Sequence, residues 1–433
     1  MTPKAVSAAT SVSATTWRLG SAALVMSFVL DPLGNGPKTV AFVVVLLAAI
    51  QVFVSKPVDD TVNITLLVLT ATIVGIAALE IINPNVPSLE VGLIGFRKSA
   101  TFLLGVAMGL GWRGSRMGGL RLAWGLLLAE AVISLLIHLA FPSIERSIVR
   151  RSGLSTWNIG GVERMQGLLG GPFHVSMLGA FLFISAFAPG IVIRQRWLRV
   201  TAAVVGLACV YFSQVRTGIA AIAIGALILT VATGSARRWV GRLTSVAAVG
   251  VLAVAFIDPL TEYARKVTAL RVLLDSGLED KRFTGRFTTW SKGLEMVDQS
   301  PLVGYGSGSA GDTLDSYFVG AEHVTSHNVF LKYAVEGGVF QGILFISLCI
   351  GLGLAVRRRR DPTLFGLAAG VSLLAFGAVG SAVEAIPVSL GMAVILGLCA
   401  RKQTTAPADD AASITRSAQH LSDDRGTGHK ISI

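Results

Sequence analysis

Arg216 stands in Ser213-Gln-Val-Arg-Thr-Gly218, between two apolar runs so close together that only a tight turn can join them. A guanidinium held in such a turn has two readings. It snorkels toward lipid headgroups, or it sits at the mouth of a helical cavity and grips a phosphate through the fork of its N–H groups. Arg286 and Trp290 are four residues apart on a short predicted helix, so they share a face and suit a cation–π pair. Lys281, Arg282 and Arg286 gather where that helix should begin, and the free N–H groups of a helix start favour anions. A diphosphate fits both features.

His323 and His327 have the i, i+4 spacing that can put two imidazoles on one metal. His-Val-Thr-Ser-His lacks the zincin glutamate and has no third His or Cys nearby, so no metal is assigned. His327 and Asn328 precede a long apolar run, which places both at a water–lipid interface. An imidazole changes charge near neutral pH, so His327 there reads as a general base or as a hydrogen-bonding interfacial histidine. Gly306-Ser-Gly-Ser-Ala-Gly311 matches the dinucleotide fingerprint in letters only, since no strand precedes it and no βαβ unit surrounds it. It reads as a flexible turn whose glycines let backbone approach a substrate. Glu130 lies mid-way along an apolar run with His138 nearer its end; a proton relay and a buried neutral carboxyl both remain open, and neither is counted in the site.

Composition says what scaffold positions these side chains. The chain has 433 residues, 52% of them hydrophobic and 14% charged, with mean hydropathy +0.68. That is too apolar for soluble globular domains. The apolar residues come in blocks of roughly 18–25, the length at which an α-helix crosses about 30 Å of hydrocarbon, and not in the short alternating segments of a barrel. The expected fold class is therefore all-α: a polytopic integral membrane protein of about twelve transmembrane helices. The spans read as 18–33, 37–54, 62–83, 93–112, 119–141, 168–188, 197–213, 217–234, 240–257, 327–355, 362–381 and 385–400. Cys209, Cys349 and Cys399 sit inside these runs, so neither a disulfide framework nor a thiolate metal site is expected. Trp17 and Arg18 precede the first run and it lacks a small-residue cleavage site, so it is expected to stay as an anchor.

The net charge of +12 would suggest nucleic acid in a soluble chain; here it sets orientation. Arg113, Arg116 and Arg121, then Arg194, Arg196 and Arg199, then Arg237, Arg238 and Arg242, and finally Arg357 to Arg360 fall in alternate connections, with Asp361 the single acid nearby. The positive-inside rule puts these connections, and with them both termini, in the cytoplasm. The predicted organisation is a cytoplasmic segment 1–17, spans one to nine over 18–257, an extracytoplasmic insert 258–326, spans ten to twelve over 327–402, and a disordered cytoplasmic tail 403–433. The insert is mildly acidic, which disfavours nucleic acid. Within it Thr284 to Gln299 reads as a helix capped by Thr284 and stopped at Ser300-Pro301.

Three stretches resemble the O-antigen ligase and polymerase superfamily of polytopic, metal-independent glycosyltransferases. They are Arg216-Thr-Gly218; Gly285-Arg-Phe-Thr-Thr-Trp290 through Ser300-Pro-Leu-Val-Gly-Tyr-Gly-Ser-Gly308; and Ser326-His-Asn-Val-Phe-Leu331 followed by Glu336-Gly-Gly338. Arg164-Met-Gln-Gly167 before Gly170-Gly-Pro-Phe-His174 resembles a fourth, weaker block, with Phe173-His174 where the family often has an Asn-containing segment. The resemblance covers about residues 155–400.

It implies transfer of a glycan from a polyprenyl-diphosphate carrier to an acceptor hydroxyl, in a bacterial inner membrane and on its extracytoplasmic face. The donor would be the carrier-linked glycan, the acceptor a glycan, lipid or protein, with membrane lipids the remaining partners and no cofactor. Arg216 and Arg286 would stabilise the charge that develops on the leaving diphosphate. His327 would take the acceptor's proton in an inverting displacement. Arg164, Arg282, Trp290 and Asn328 are the expected substrate-binding residues. An apolar cavity between helices would hold the polyprenyl tail, with the insert covering the sugar. A repeat-unit polymerase of the same superfamily is the first alternative. A transporter or flippase of lipid-linked glycans is the second, though it calls for an internal repeat or a mid-membrane charge ladder that the sequence does not display.

Overall fold

The computed structural model describes residues 18–54, 60–151, 158–159, 162–169, 171–188, 192–233, 281–311, 317–318, 323–358 and 363–402. Helices carry most of them: α1 (18–30), α2 (Asn35–Val54), α3 (Thr61–Leu79), α4 (Leu89–Leu110), α5 (Arg116–Ala140), α6 (Pro142–Arg151), α7 (Pro172–Ala186), α8 (Arg196–Ser213), α9 (Arg216–Thr233), α10 (Lys281–Gln299), α11 (Val329–Arg358), α12 (Thr363–Gly377) and α13 (Val388–Ala400). In hydrocarbon no water can satisfy backbone groups, so an apolar run must close its own hydrogen bonds, and the helix does this within one segment. Local sequence sets the starts. Ser88 Oγ accepts from Val91 N at 3.3 Å, Ser115 Oγ accepts from Gly118 N at 3.3 Å, and Pro142 and Pro172 occupy first helical positions.

Among the described residues, six helices are long and apolar enough to cross a membrane by length and composition: α2, α3 with its 3-10 extension to Ile82, α4, α5, α8 and α11. The protein is an all-α polytopic membrane protein, as expected. Each predicted span except the ninth coincides with a helix; 240–257 lies outside the described residues, and the full count of twelve with it. The 1–17 and 403–433 segments also lie outside them. Helix α4 is the central member, with 83% of its apolar window buried, against 28–39% for the other five long helices. Small residues let backbones close up. A Cβ on Gly179 of α7 would stand 2.6 Å from Gly206 O of α8, and a Cβ on Gly206 would stand 2.6 Å from Gly179 O.

The arginines of the predicted cytoplasmic connections fasten one end of the bundle. Arg116 donates from Nε to Leu398 O (2.8 Å) and from its terminal guanidinium to Cys399 O (3.0 Å), Arg121 Nε donates to Val192 O (3.0 Å), and Arg199 Nε donates to Ala186 O (2.8 Å). Carbonyls at helix C-termini, here those of Leu398, Cys399 and Ala186, lack intrahelical partners and carry partial negative charge, so Arg116 and Arg199 serve them well.

Three local expectations are corrected. Helix α10 already runs at Lys281, so Thr284 lies inside it and is not its cap. The Gly306–Gly311 stretch, expected as a flexible turn, is packed into the protein: residues 306–311 are buried and hydrogen-bonded, and Ala310 forms a parallel bridge with Val324. The long span from 327 is not one continuous helix, because Gly337 and Gly338 have non-helical backbones inside α11. Two features were not anticipated. Helix α6 is short and amphipathic, and a minimal antiparallel hairpin pairs β1 (Asn158–Ile159) with β2 (Val162–Glu163), where Arg146 of α6 grips Glu163 at 2.7–3.1 Å.

Candidate functional site

Helix α8 ends at Ser213 and α9 begins at Arg216, so only Gln214 and Val215 make the turn. Gln214 takes a left-handed backbone (φ 53°, ψ 36°) to reverse the chain. Its side chain is buried, and Oε1 has no partner among the described residues. Arg216 is exposed at the first position of α9. Gly218 keeps α9 against α7, since a Cβ there would collide with Ser176 Oγ.

Arg164 comes to the same turn. Its side chain is buried, Nε donates to Ser213 O at 2.8 Å, and Met165 N donates to Phe212 O at 3.0 Å. The segment is held from the other side by Glu145 of α6, whose Oε1 accepts from Gln166 N (2.7 Å) and Gly167 N (2.6 Å) and whose Oε2 lies 2.8 Å from His138 Nδ1. Burial pushes the Glu145 carboxyl up, but hydrogen bonds from His138, Gly167 and Gln166 outweigh it and hold it below the usual glutamate range. Ser134 Oγ accepts from Leu168 N at 3.1 Å. The weak Arg164-Met-Gln-Gly167 block is therefore a segment pinned at both ends, which aims Arg164 at the turn carrying Arg216.

His327 is half-buried and left-handed (φ 44°), in the last turn before α11. Asn328 is the cap of that helix: Oδ1 accepts from Phe330 N (2.9 Å) and Leu331 N (3.1 Å), while Nδ2 donates to Ala378 O at the end of α12 (3.2 Å). Both ends of its amide are thus used in placing His327. Residues 323–328 are not helical, so the helix-face premise behind a shared His323/His327 metal does not hold. His323 is buried and lies against Phe318, ring centroids 5.5 Å apart, and Lys292 Nζ of α10 donates to its carbonyl at 2.7 Å.

The His327 and Arg216 regions are joined through the start of α7. Gly218 packs on Ser176; Phe173 meets Phe376 edge to face, 4.8 Å between centroids, and fills the space a Cβ on Gly380 would need; Ala378 receives the Asn328 amide. His174, beside Phe173, is half-buried in this same bridge. Helix α10 reaches the region by packing Gly293 on Leu331 and Met296 near Val335. Arg286, half-buried, is two turns N-terminal to Gly293, about 10 Å along the axis. Trp290 meets Phe287 edge-on at 5.4 Å. The side chains of Lys281 and Arg282 lie outside the described residues. A small cavity lined by Asp31, Lys38, Phe42 and Arg97, among others, lies between α1, α2 and α4 and includes none of the expected site residues.

Sequence reasoning missed one charged cluster. Lys332 Nζ lies 2.6 Å from Glu336 Oε1 and 3.0 Å from Glu384 Oε1, and it also donates to Ala310 O. Glu336 accepts from Ser99 Oγ (2.7 Å) and Gly308 N (3.0 Å), Tyr333 Oη donates to Ser99 O (2.7 Å), and Lys98 lies 3.8 Å from Glu384. An i, i+4 Lys–Glu pair inside an apolar run was the available signal. The cluster ties the glycine-rich segment to the helix that starts at His327.

Residues 201–346, which include Arg216, Arg286 and His327, match the family model for O-antigen ligase. The match supports the O-antigen ligase superfamily for this chain, and with it a membrane glycosyltransferase of the ligase/polymerase type. No curated protein matches the chain.

Proposed function

On the premise of that match, we propose that the protein transfers a glycan from a polyprenyl-diphosphate carrier to an acceptor hydroxyl at the extracytoplasmic face of a bacterial inner membrane. The observation that carries the reading is the Arg164 Nε–Ser213 O bond, which ties a second guanidinium to the turn bearing Arg216. In this mechanism the acceptor oxygen attacks the anomeric carbon, its proton passes to His327, and the bond from that carbon to the diphosphate oxygen breaks with inversion. Arg216 and Arg286 stabilise the negative charge growing on the departing diphosphate, an interaction stronger in the transition state than in the bound donor. Arg164 and Arg282 add positive charge around the donor, and Trp290 offers the glycan an apolar face. Asn328 acts by holding His327 in place. Arginine supplies the charge that a divalent cation would otherwise bring, so the reaction proceeds without metal.

Purified protein in vesicles, given carrier-linked glycan and an acceptor, tests the reading. A new glycosidic product with released polyprenyl diphosphate is expected; movement of the intact donor across the bilayer with no product would make the protein a flippase. Deleting the gene separates ligase from polymerase. Full-length carrier-linked chains accumulate if a ligase is lost, and single repeat units if a polymerase is lost.

A further inference from the structure

The break in α11 is filled from outside the helix. Non-helical backbones at Gly337 and Gly338 free the carbonyls of Val335 and Glu336 and the N–H of Val339 from their intrahelical partners. Residues 301–306 take up all three: Tyr305 N donates to Val335 O (2.8 Å), Gly306 N donates to Glu336 O (2.9 Å), and Val339 N donates to Pro301 O (2.8 Å). Irregular backbone is tolerated at membrane depth only when its polar groups are satisfied in this way. Ser307 bonds to the end of α3, its N–H to Glu80 O (3.1 Å) and its Oγ to Ala77 O (2.9 Å), so the segment lies level with the end of a membrane-spanning helix.

Within this segment Pro301, Leu302 and Val303 are exposed and apolar, while residues 306–311 are buried. Ser300 to Gly311 contains no charged residue, and Leu302 is 83% and Val303 58% exposed. They adjoin Val339 and Phe340, where the exposed apolar stripe of α11 begins and continues through Ile343 and Ile350. On α10, Phe287 and Leu294 are exposed and seven residues apart on one face, while Gly293 and Met296 turn toward Leu331 and Val335. A contiguous apolar patch left in water is unfavourable at about 25 cal/mol per Å². The 301–303 turn runs directly into the exposed apolar stripe of the long helix α11.

We propose that the 301–303 turn and the Phe287/Leu294 face of α10 are seated in the acyl chains of the bilayer, so that part of the insert is a re-entrant interfacial anchor and not a water-borne lid. This anchor fixes the height of α10 above the membrane independently of the reaction the protein performs.

The test is spin-label accessibility in vesicles of phosphatidylethanolamine and phosphatidylglycerol, with Cys209, Cys349 and Cys399 replaced by Ala. Leu302→Cys and Val303→Cys carry the label; Ile346→Cys on the lipid-facing stripe and Glu295→Cys on the exposed polar face of α10 are the references. Labels at 302 and 303 should relax with oxygen in preference to a water-soluble nickel chelate, giving a positive depth parameter like 346 and opposite in sign to 295. A nickel response at both positions equal to that at 295 would overturn the anchor. Protection from both reagents would also overturn it, by showing protein such as a second copy on the patch. So would a loss of oxygen access on adding polyprenyl phosphate, which would make the patch a carrier site.

Discussion

Lys332 and Glu336 stand one turn apart on the same face of α11, Nζ to Oε1 2.6 Å, with side chains only 1% and 3% exposed. Buried charges that pair this closely are costly to separate, because removing one leaves the other without compensation. Lys332→Met should therefore lower stability by about 3–5 kcal/mol, and Lys332→Met with Glu336→Gln should lose less than Lys332→Met alone. Thermal unfolding in detergent checks both. Equal loss in the single and double variants would mean that the pair acts as packing and not as compensated charge.

His327→Ala should cut turnover by about 10²–10⁴ while leaving thermal unfolding and donor binding near those of the parent. Asn328→Ala should cost less, since it loosens the start of α11 without removing the base. If His327→Ala turns over at the parental rate, the proton goes elsewhere.

Arg216→Lys and Arg286→Lys keep the charge but lose the planar fork, so each should lose most transfer activity with the fold intact. Arg164→Lys should lower both activity and melting temperature, because it also gives up the Nε bond to Ser213 O. Melting curves and initial rates on the three variants separate the two patterns; parental rates in all three would reduce these arginines to orientation and packing charges.

Glu145 supplies a pH dependence of known sign. Its folded-state pKa lies below the ordinary 4.5, so its stabilising contribution is present above that value and is lost as pH falls through the lowered folded-state pKa. Glu145→Gln should destabilise at pH 7, and the gap between parent and variant should close as pH falls through the lowered folded-state pKa. A gap that stays constant across that window would show that the carboxylate's charge plays no part.

Transfer should survive EDTA, since arginines supply the positive charge at the leaving group. Loss in chelator with rescue by one divalent ion would sink that account.

The scaffold was legible in the sequence because span length and arginine placement are one-dimensional signals. An apolar run of sufficient length must be a helix in lipid whatever its neighbours do, and so ten predicted spans besides the first coincide with named helices. The amphipathic α6 was missed because its single turn of purpose, Glu145 reaching Gln166 and Gly167, depends on a partner about twenty residues away. Gly306–Gly311 was misread because glycine spacing alone does not distinguish a mobile turn from one pressed against a broken helix.

The sequence by itself determined the class, the likeness to a ligase and the residue types able to handle a diphosphate and a proton. Only the tertiary structure decided which of them are tied together. Arg164 reaches the Arg216 turn through a carbonyl 49 residues away, and Lys332 meets Glu384 across a different loop. Helical periodicity fixes the direction of a side chain relative to its own axis, but the rotation and depth of each helix are set by where glycines let backbones approach and where buried charges find partners.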